Sequence, residues 1–210
     1  AHIIYNKNFI YKSVPSYNVM WSKSEPIING KYIVYVEESV DSPPDAALFG
    51  VNNPNNDIKG FYKRLNEVFE KIEHWTNFKI VIAASGKYKY FNNPFNNRKI
   101  IYKKTSNLIQ YSELVIGHKS LGVEQAIKDF KPLILLKDEG FNKLKNKIIN
   151  NLAMVYGLNS LWTTNFCKSN FEKNNFVNID NYEKIINDYL KEDNVKGTFL
   201  QNFSLGLHSI

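Results

Sequence analysis

Short apolar runs alternate along this chain with longer stretches in which apolar residues recur at helical spacing. Residues 32–36 are apolar throughout, which is typical of a strand buried on both faces of a parallel sheet. Residues 57–76 instead repeat apolar side chains every three or four positions, which is typical of an amphipathic helix. The alternation predicts an α/β fold, a Rossmann-like open and mainly parallel sheet with helices on both faces.

The same patterns predict the remaining elements and three segments of the chain. Further strands are expected at 78–84, 99–102, 114–116, 132–136 and 161–163, and further helices at 105–109, 121–129, 142–156 and 182–190. Asp57 and Thr105 are expected to cap the first two helices, and residues 165–178 are expected to form a loop. Residues 1–30 are interpreted as a connector or the end of a preceding domain, 31–193 as the Rossmann-like domain, and 194–210 as a C-terminal tail.

Composition favours a globular domain of a reducing compartment. The chain has 210 residues, of which 43% are hydrophobic and 14% aromatic, enough for a substantial core. Its one cysteine, Cys167, excludes an intrachain disulfide, and no signal-peptide pattern opens the sequence. We therefore expect a cytoplasmic protein.

The chain is basic, with a formal net charge of +7. Only two arginines, Arg64 and Arg98, contribute to that charge. Because arginine leads both base readout and bidentate phosphate contact, nucleic acid is a disfavoured partner. The lysine-rich surface suits a phosphorylated small ligand or an anionic membrane surface instead, if it is not simply a solvated face.

Residues 112–126 combine a buried strand, a polar turn and a helix start. Ligands often bind at such a turn, since helix amides point outwards there and the helix dipole favours an anion. The turn His118-Lys119-Ser120 offers an imidazole, an ammonium group and a hydroxyl to a phosphate, and Glu124 is expected to bind a ribose. The alternative makes Ser120 a helix cap, His118 the end of a strand and Glu124 a solvated carboxylate.

Two other turns are expected at the same edge of the sheet, because the carboxyl ends of parallel strands meet there. Ser85-Gly86-Lys87 follows the second strand, where glycine permits close backbone approach and Lys87 adds positive charge. Lys103-Lys104-Thr105 follows the third strand and precedes a helix. Neither motif is a Walker loop or a dinucleotide fingerprint, so an ordinary turn with solvated lysines is the alternative.

Candidates for catalysis are few. Glu38, which follows the first strand, is the candidate general base, against the alternative of a solvated loop carboxylate. The four histidines have no spacing typical of metal ligands, so no metal site is expected. Cys167 has no neighbouring base, which argues against a nucleophile.

Several short pieces, in order and at consistent spacing, resemble a known family. They are Lys31–Asp45, Ile82–Ala84, Asn96–Thr105, Leu108–Ile116, His118–Ser120 and Lys131–Ile134. Over about half of its length the chain is similar to the C-terminal, donor-binding half of bacterial GT-B-fold glycosyltransferases of capsular and surface-polysaccharide synthesis, including the β-Kdo transferase type.

That resemblance implies binding of a nucleotide sugar, CMP- or UDP-linked, with no metal and no other cofactor. It implies that Lys103, Lys104 and Thr105 lie near the nucleotide, with His118 and Ser120 at its phosphate. It also implies a carbohydrate or glycolipid acceptor on a second domain, expected upstream or on a partner chain. The family places His-Pro and a basic residue where this chain has residues 85–87.

Two functions therefore follow from the sequence. The first is a metal-independent glycosyltransferase domain that acts on a growing surface polysaccharide or glycolipid, peripheral to the inner membrane of a bacterium. The alternative is a degenerate, non-catalytic Rossmann-like module that serves assembly or scaffolding, which the replaced histidine favours. Nucleic-acid binding would rest on charge alone.

Overall fold

The structure, a computed structural model, describes residues 25–38, 57–84, 86, 89–120, 122–174 and 176–187. Most of the expected connector (1–30) and all of the expected tail (194–210) lie outside these ranges. The elements, in chain order, are β1 (Tyr32–Val36), α1 (Ile58–Thr76), β2 (Lys79–Ala84), β3 (Ile100–Tyr102), α2 (Thr105–Gln110), β4 (Leu114–Gly117), α3 (Gly122–Lys128), β5 (Leu133–Lys137), α4 (Lys143–Val155), β6 (Leu161–Trp162), α5 (Lys168–Asn174) and α6 (Ile179–Ile185).

The six strands form one sheet in the order β3-β2-β1-β4-β5-β6, and every neighbouring pair is parallel. Strand β1 is central, with Tyr35 opposite Ile82 of β2 on one side and Ile116 of β4 on the other. Its five side chains are at most 2% exposed, which explains why its sequence is apolar without alternation. The predicted fold class, a Rossmann-like open parallel sheet with helices on both faces, is confirmed.

The helices form two groups around the sheet. On one side, Trp75 at the end of α1 packs against Phe171 of α5, with ring centroids 5.5 Å apart. On the other, Gln125 of α3 donates to the Ser106 carbonyl of α2 at 3.0 Å. The crossover from β1 to β2 through α1 runs across the sheet in the opposite direction to those from β3 to β4 and from β4 to β5 through α2 and α3. Right-handed crossovers therefore place the two groups on opposite faces.

The ends of two helices and one loop can be compared with the sequence predictions. Asp57 accepts from the Gly60 amide at 2.9 Å, and Asn77 ends α1 in the left-handed conformation. The prediction that Thr105 caps α2 is wrong, because the cap position is Lys104, which makes no side-chain capping bond. The loop predicted at 165–178 is also wrong in part, since α5 lies within it.

None of the helices in the described ranges combines the length and the apolar composition needed to cross a bilayer.

A buried carboxylate ties α1 to the ends of β5 and β6. Asp138 is fully buried and accepts two bonds from Arg64, at 2.9 Å from Nε and 2.6 Å from Nη2. It also accepts from the Gly140 amide at 2.7 Å and from the Thr163 hydroxyl. Four donors on three segments therefore satisfy one charge, which orients α1 relative to the carboxyl end of the sheet.

We expect Arg64→Met to lower the free energy of unfolding by about 3 kcal/mol, because it leaves the buried Asp138 charge without its cation. Lys31→Met is the matched control, since Lys31 and Glu113 form an exposed pair whose loss costs less than about 1 kcal/mol. Denaturant titration measures both. Equal losses for the two variants would contradict a stabilising role for the Arg64–Asp138 pair.

Candidate functional site

The candidate site lies at the rim, by which we mean the residues that follow the carboxyl ends of the strands. Strand order reverses there between β1 and β4, since the chain extends the sheet from β1 first through β2 and β3 and then, on the other side, through β4 to β6. In open α/β sheets, the crevice at such a switch point is where ligands bind. The rim residues of these two strands are Glu37 and Glu38 after β1, and His118, Lys119 and Ser120 after β4.

Gly86 and Lys103 lie in contact at the ends of β2 and β3. A Cβ atom on Gly86 would lie 2.7 Å from Lys103 Cγ, and Gly86 has a φ of +81°, which favours glycine. The Lys103 amide donates to the Ala84 carbonyl at 2.9 Å. The structure therefore brings these two predicted site residues together, whereas Ser85 and Lys87 lie outside the described residues.

Thr105 and Ser120 lie close together around Gly122, beside Val36 at the end of β1. A Cβ atom on Gly122 would lie 3.2 Å from Ser120 Oγ, 3.3 Å from Thr105 Cγ2 and 3.1 Å from Val36 Cγ1. The Ser120 hydroxyl accepts from the Gly122 amide at 3.1 Å, the capping role that its position in the sequence allowed. A side chain at Gly122 would crowd all three groups, so the glycine lets Thr105 and Ser120 pack closely at the end of β1.

Three exposed lysines lie at the rim. Lys103, Lys104 and Lys119 are exposed, and none of their ammonium groups pairs with a carboxylate within the described part of the chain. Positive charge without a protein partner at a switch point suits an anionic ligand. Helix dipoles add little, because α2 and α3 have only six and seven residues.

His118 does not present its ring to the surface. It is fully buried, with Nδ1 2.7 Å from the Leu136 carbonyl and Nε2 2.9 Å from the Tyr35 hydroxyl. A carbonyl only accepts, so Nδ1 carries the proton and Nε2 accepts from Tyr35. Burial lowers the pKa of His118 to about 4, so the ring is neutral at pH 7. The phosphate contact proposed for His118 stays a prediction, and in this conformation its ring anchors the turn from below.

Glu38, the candidate base, has both carboxylate oxygens engaged. Oε1 accepts from the Lys119 amide at 2.5 Å, and Oε2 lies 3.5 Å from Lys145 Nζ. Burial favours a raised pKa for Glu38, but the Lys145 ammonium and the Lys119 amide hold that pKa below its ordinary value. The carboxylate is therefore ionised, and both of its oxygens already have partners within the chain.

Glu124 is half-buried in the first turn of α3. Burial raises the pKa of its carboxyl to about 7. No hydrogen bond or ion pair to another described residue offsets that burial, so the carboxyl has capacity left to accept from a ligand hydroxyl. Its proposed contact with a ribose stays a prediction.

Other chemistry is sparse in the described ranges. No three His, Cys, Asp or Glu side chains converge as metal ligands there. An open depression of about 440 Å³ lies off the rim, along α1, where Lys59, Lys63 and Glu67 face Pro94 and Asn96. It touches none of the site residues inferred from the sequence.

Sequence reasoning missed Lys145 and Tyr35, which contact Glu38 and His118 of the rim, and it placed Asp138 at a strand end on the rim without a role. A signal for Lys145 exists in the sequence: it lies on the same helical stripe as Ile149 and Ala153, which are buried. A lysine among core positions of an amphipathic helix needs a buried partner. For Tyr35 we find no comparable pattern.

Comparison with solved structures returns glycosyltransferases at low similarity. One is SnogD from Streptomyces nogalater, with 11% identity and a TM-score of 0.43 over 76% of this chain and 38% of SnogD. Another is the spinosyn forosaminyltransferase SpnP, with 12% identity and a TM-score of 0.38 over 85% of this chain and 39% of SpnP. The chain thus spans about two fifths of each, and the likeness carries no argument about function. No family model and no curated protein matches the sequence.

Burial of neutral His118 makes folding pH-dependent in a defined window. Its folded pKa of about 4 lies below the ordinary value of 6.5, so the unfolded chain binds more protons between these values. The contribution of His118 to the free energy of unfolding is fully present above pH 6.5 and is lost as the pH falls. That loss lowers the free energy of unfolding by about 2 kcal/mol between pH 7 and pH 5.

Denaturant titration at several pH values checks this, with His118→Asn expected to flatten the slope. His74→Asn, on the exposed side of α1, is the control and should leave the slope unchanged. An NMR titration midpoint near 6.5 for His118 would contradict the assignment.

Proposed function

We propose that this chain is the nucleotide-sugar-binding domain of a GT-B-type glycosyltransferase. The observation that carries the proposal is the convergence of Lys103, Thr105, Lys119 and Ser120 on the rim around the switch point of a Rossmann-like sheet. The fold is consistent with one half of a GT-B enzyme, and the resemblance in sequence order and spacing supports the same class. An acceptor on a surface polysaccharide or glycolipid is part of this proposal.

The chemistry that suits this rim is stabilisation of a departing nucleotide. When the bond between the sugar and the diphosphate breaks, negative charge develops on the leaving phosphate. Lys103, Lys104 and Lys119 supply positive charge there, and the Ser120 and Thr105 hydroxyls can donate to phosphate oxygens. In the proposal these groups do the work that a metal ion does in other transferases, and Glu124 accepts from the ribose hydroxyls.

The acceptor and its base belong to another part of the enzyme. Glu38 is occupied by Lys119 and Lys145, so it is poorly placed to take a proton from an acceptor hydroxyl. We place the activating base on an acceptor-binding domain, upstream in the same protein or on a partner chain. The donor would then react in the cleft between the two, at the rim.

A second candidate is a non-catalytic module with the same sheet. Two observations favour it. Gly86 stands near the place where the resembled family has a histidine, and the ring of His118 is buried with both nitrogens engaged. Within the described residues, the rim therefore presents no imidazole to a leaving phosphate. Sugar transfer by this chain, with its partner domain supplied, would exclude the second candidate.

We expect UDP, CMP or GDP to bind at the rim, and Lys103→Ala to weaken that binding about tenfold, through the loss of one charged contact. The melting temperature should change by less than about 2 °C, because Lys103 is exposed and makes no side-chain hydrogen bond in the described residues. Calorimetric titration and thermal unfolding measure the two effects.

Lys79→Ala is the matched control, an exposed lysine at the opposite, amino end of β2. Both substitutions change net charge equally, so an equal effect on affinity would mean that only the overall charge attracts the nucleotide. Failure of all three nucleotides to bind at millimolar concentration would overturn the proposal.

A further inference from the structure

The carboxylate of Glu38 joins three segments that meet at the switch point: the end of β1, the turn after β4 and the first turn of α4. We propose that Glu38 is a positioning residue, which holds the Lys119 amide and thereby sets the turn that presents Lys119 and Ser120 to a phosphate-bearing ligand. The nature of the ligand rests on the proposed function, whereas the bridge itself does not.

The geometry of the bridge leaves the carboxylate little freedom. Oε1 accepts from the Lys119 amide, while Oε2 faces Lys145 Nζ at 3.5 Å. The side chains of Glu38 and Lys145 are only 10% and 8% exposed. Beneath them, the Lys145 ammonium lies 3.8 Å from the centroid of the Phe141 ring, a cation–π contact that holds it in place.

Stability alone gives little reason for this pair. Taking two charges out of water costs about as much as their attraction returns, and an apolar pair of similar volume would often fill the site equally well. What an apolar pair lacks is an acceptor for the Lys119 amide. The bond to that amide is thus the feature that distinguishes Glu38 from an apolar residue of its size.

The turn is held from two directions. From below, the His118 ring is fixed by Tyr35 and by the Leu136 carbonyl. From the side of β1, Glu38 fixes the next residue through its amide. With two consecutive residues fixed, the Lys119 ammonium and the Ser120 hydroxyl need little reorganisation when a ligand arrives, which is the basis of preorganised anion binding.

This inference assigns Glu38 a role that differs from general base catalysis. A base must take a proton from a reacting group during the reaction, and its charge is essential. A positioning residue needs only an oxygen that accepts from the Lys119 amide. Glutamine retains that oxygen without the charge. With Lys145 neutralised at the same time, Glu38→Gln should abolish proton transfer if Glu38 is a base, whereas it should leave the turn intact if Glu38 is a positioning residue.

The test compares two double variants that are equal in net charge. Glu38→Gln with Lys145→Met keeps the acceptor for the Lys119 amide, whereas Glu38→Met with Lys145→Met removes it at similar volume. We expect the first to keep slow hydrogen exchange at Lys119 and to bind UDP within about threefold of the unmodified chain. The second should show at least about tenfold faster exchange at Lys119 and about tenfold weaker UDP binding, with exchange in β1 unchanged.

Two outcomes would overturn the inference. Equal exchange at Lys119 in both double variants would show that Glu38 does not hold the turn. Equally weak UDP binding in both, with exchange at Lys119 preserved only in the glutamine variant, would show that UDP binding does not depend on the bond that holds the Lys119 amide. Absence of UDP binding by the unmodified chain would overturn the proposed function instead, while the exchange comparison would still decide the bridge.

If the methionine double variant does not fold, an NMR titration of the Lys119 amide with pH tests the same bond. In the unmodified chain, the Lys119 amide proton resonance should follow the ionisation of Glu38 as the pH falls. Lys145→Met alone should move that midpoint to higher pH, because removing the ammonium disfavours the carboxylate. A Lys119 amide resonance that changes neither with pH nor with Lys145→Met would contradict the bond between Glu38 and the Lys119 amide.

Discussion

Parallel pairing of β1 with β2 on one side and β4 on the other is the constraint on which the rest of the structure depends. Because both neighbours run parallel to β1, the carboxyl ends of all three strands emerge at one edge of the sheet. Because the chain extends the sheet from β1 to β3 on one side and then from β4 to β6 on the other, the strand order reverses between β1 and β4, which is where open α/β sheets bind ligands. Gly122 lets Thr105 and Ser120 pack closely at that point, since a side chain there would crowd both.

The rim is built on polar groups that are buried and satisfied. Asp138 receives four donors, the His118 ring bonds to Tyr35 and to a carbonyl, and Glu38 bridges Lys119 and Lys145. Each of these groups would be costly to bury alone, and hydrogen-bond or ion-pair partners, most of them from other segments, offset that cost. The result is a firm base beneath an exposed surface that carries three lysines without carboxylate partners in the described residues.

Local patterns predicted most of the elements. The apolar run at β1 and the helical repeat of α1 were sufficient to predict these two elements. Burial on both faces makes a strand apolar throughout, and burial of one stripe makes apolar residues recur at helical spacing. Helix α5 was not predicted because its sequence contains asparagine and serine, which have weak helical preference. Tertiary contacts, chiefly those of Phe171 with Trp75, outweigh that preference. The cap of α2 was displaced by one residue, which is the ordinary precision of such boundaries.

The sequence by itself determined the class of fold, the position of the polar turns after each strand and the positive charge they carry, since these depend on residue type and local period. Only the tertiary structure decided the order of the strands, the burial of His118 and the pairing of Glu38 with Lys145. These depend on contacts between residues about 20 to more than 100 positions apart, such as Tyr35 with His118. No local period in the sequence records such contacts, because their free energy exists only once the sheet has assembled.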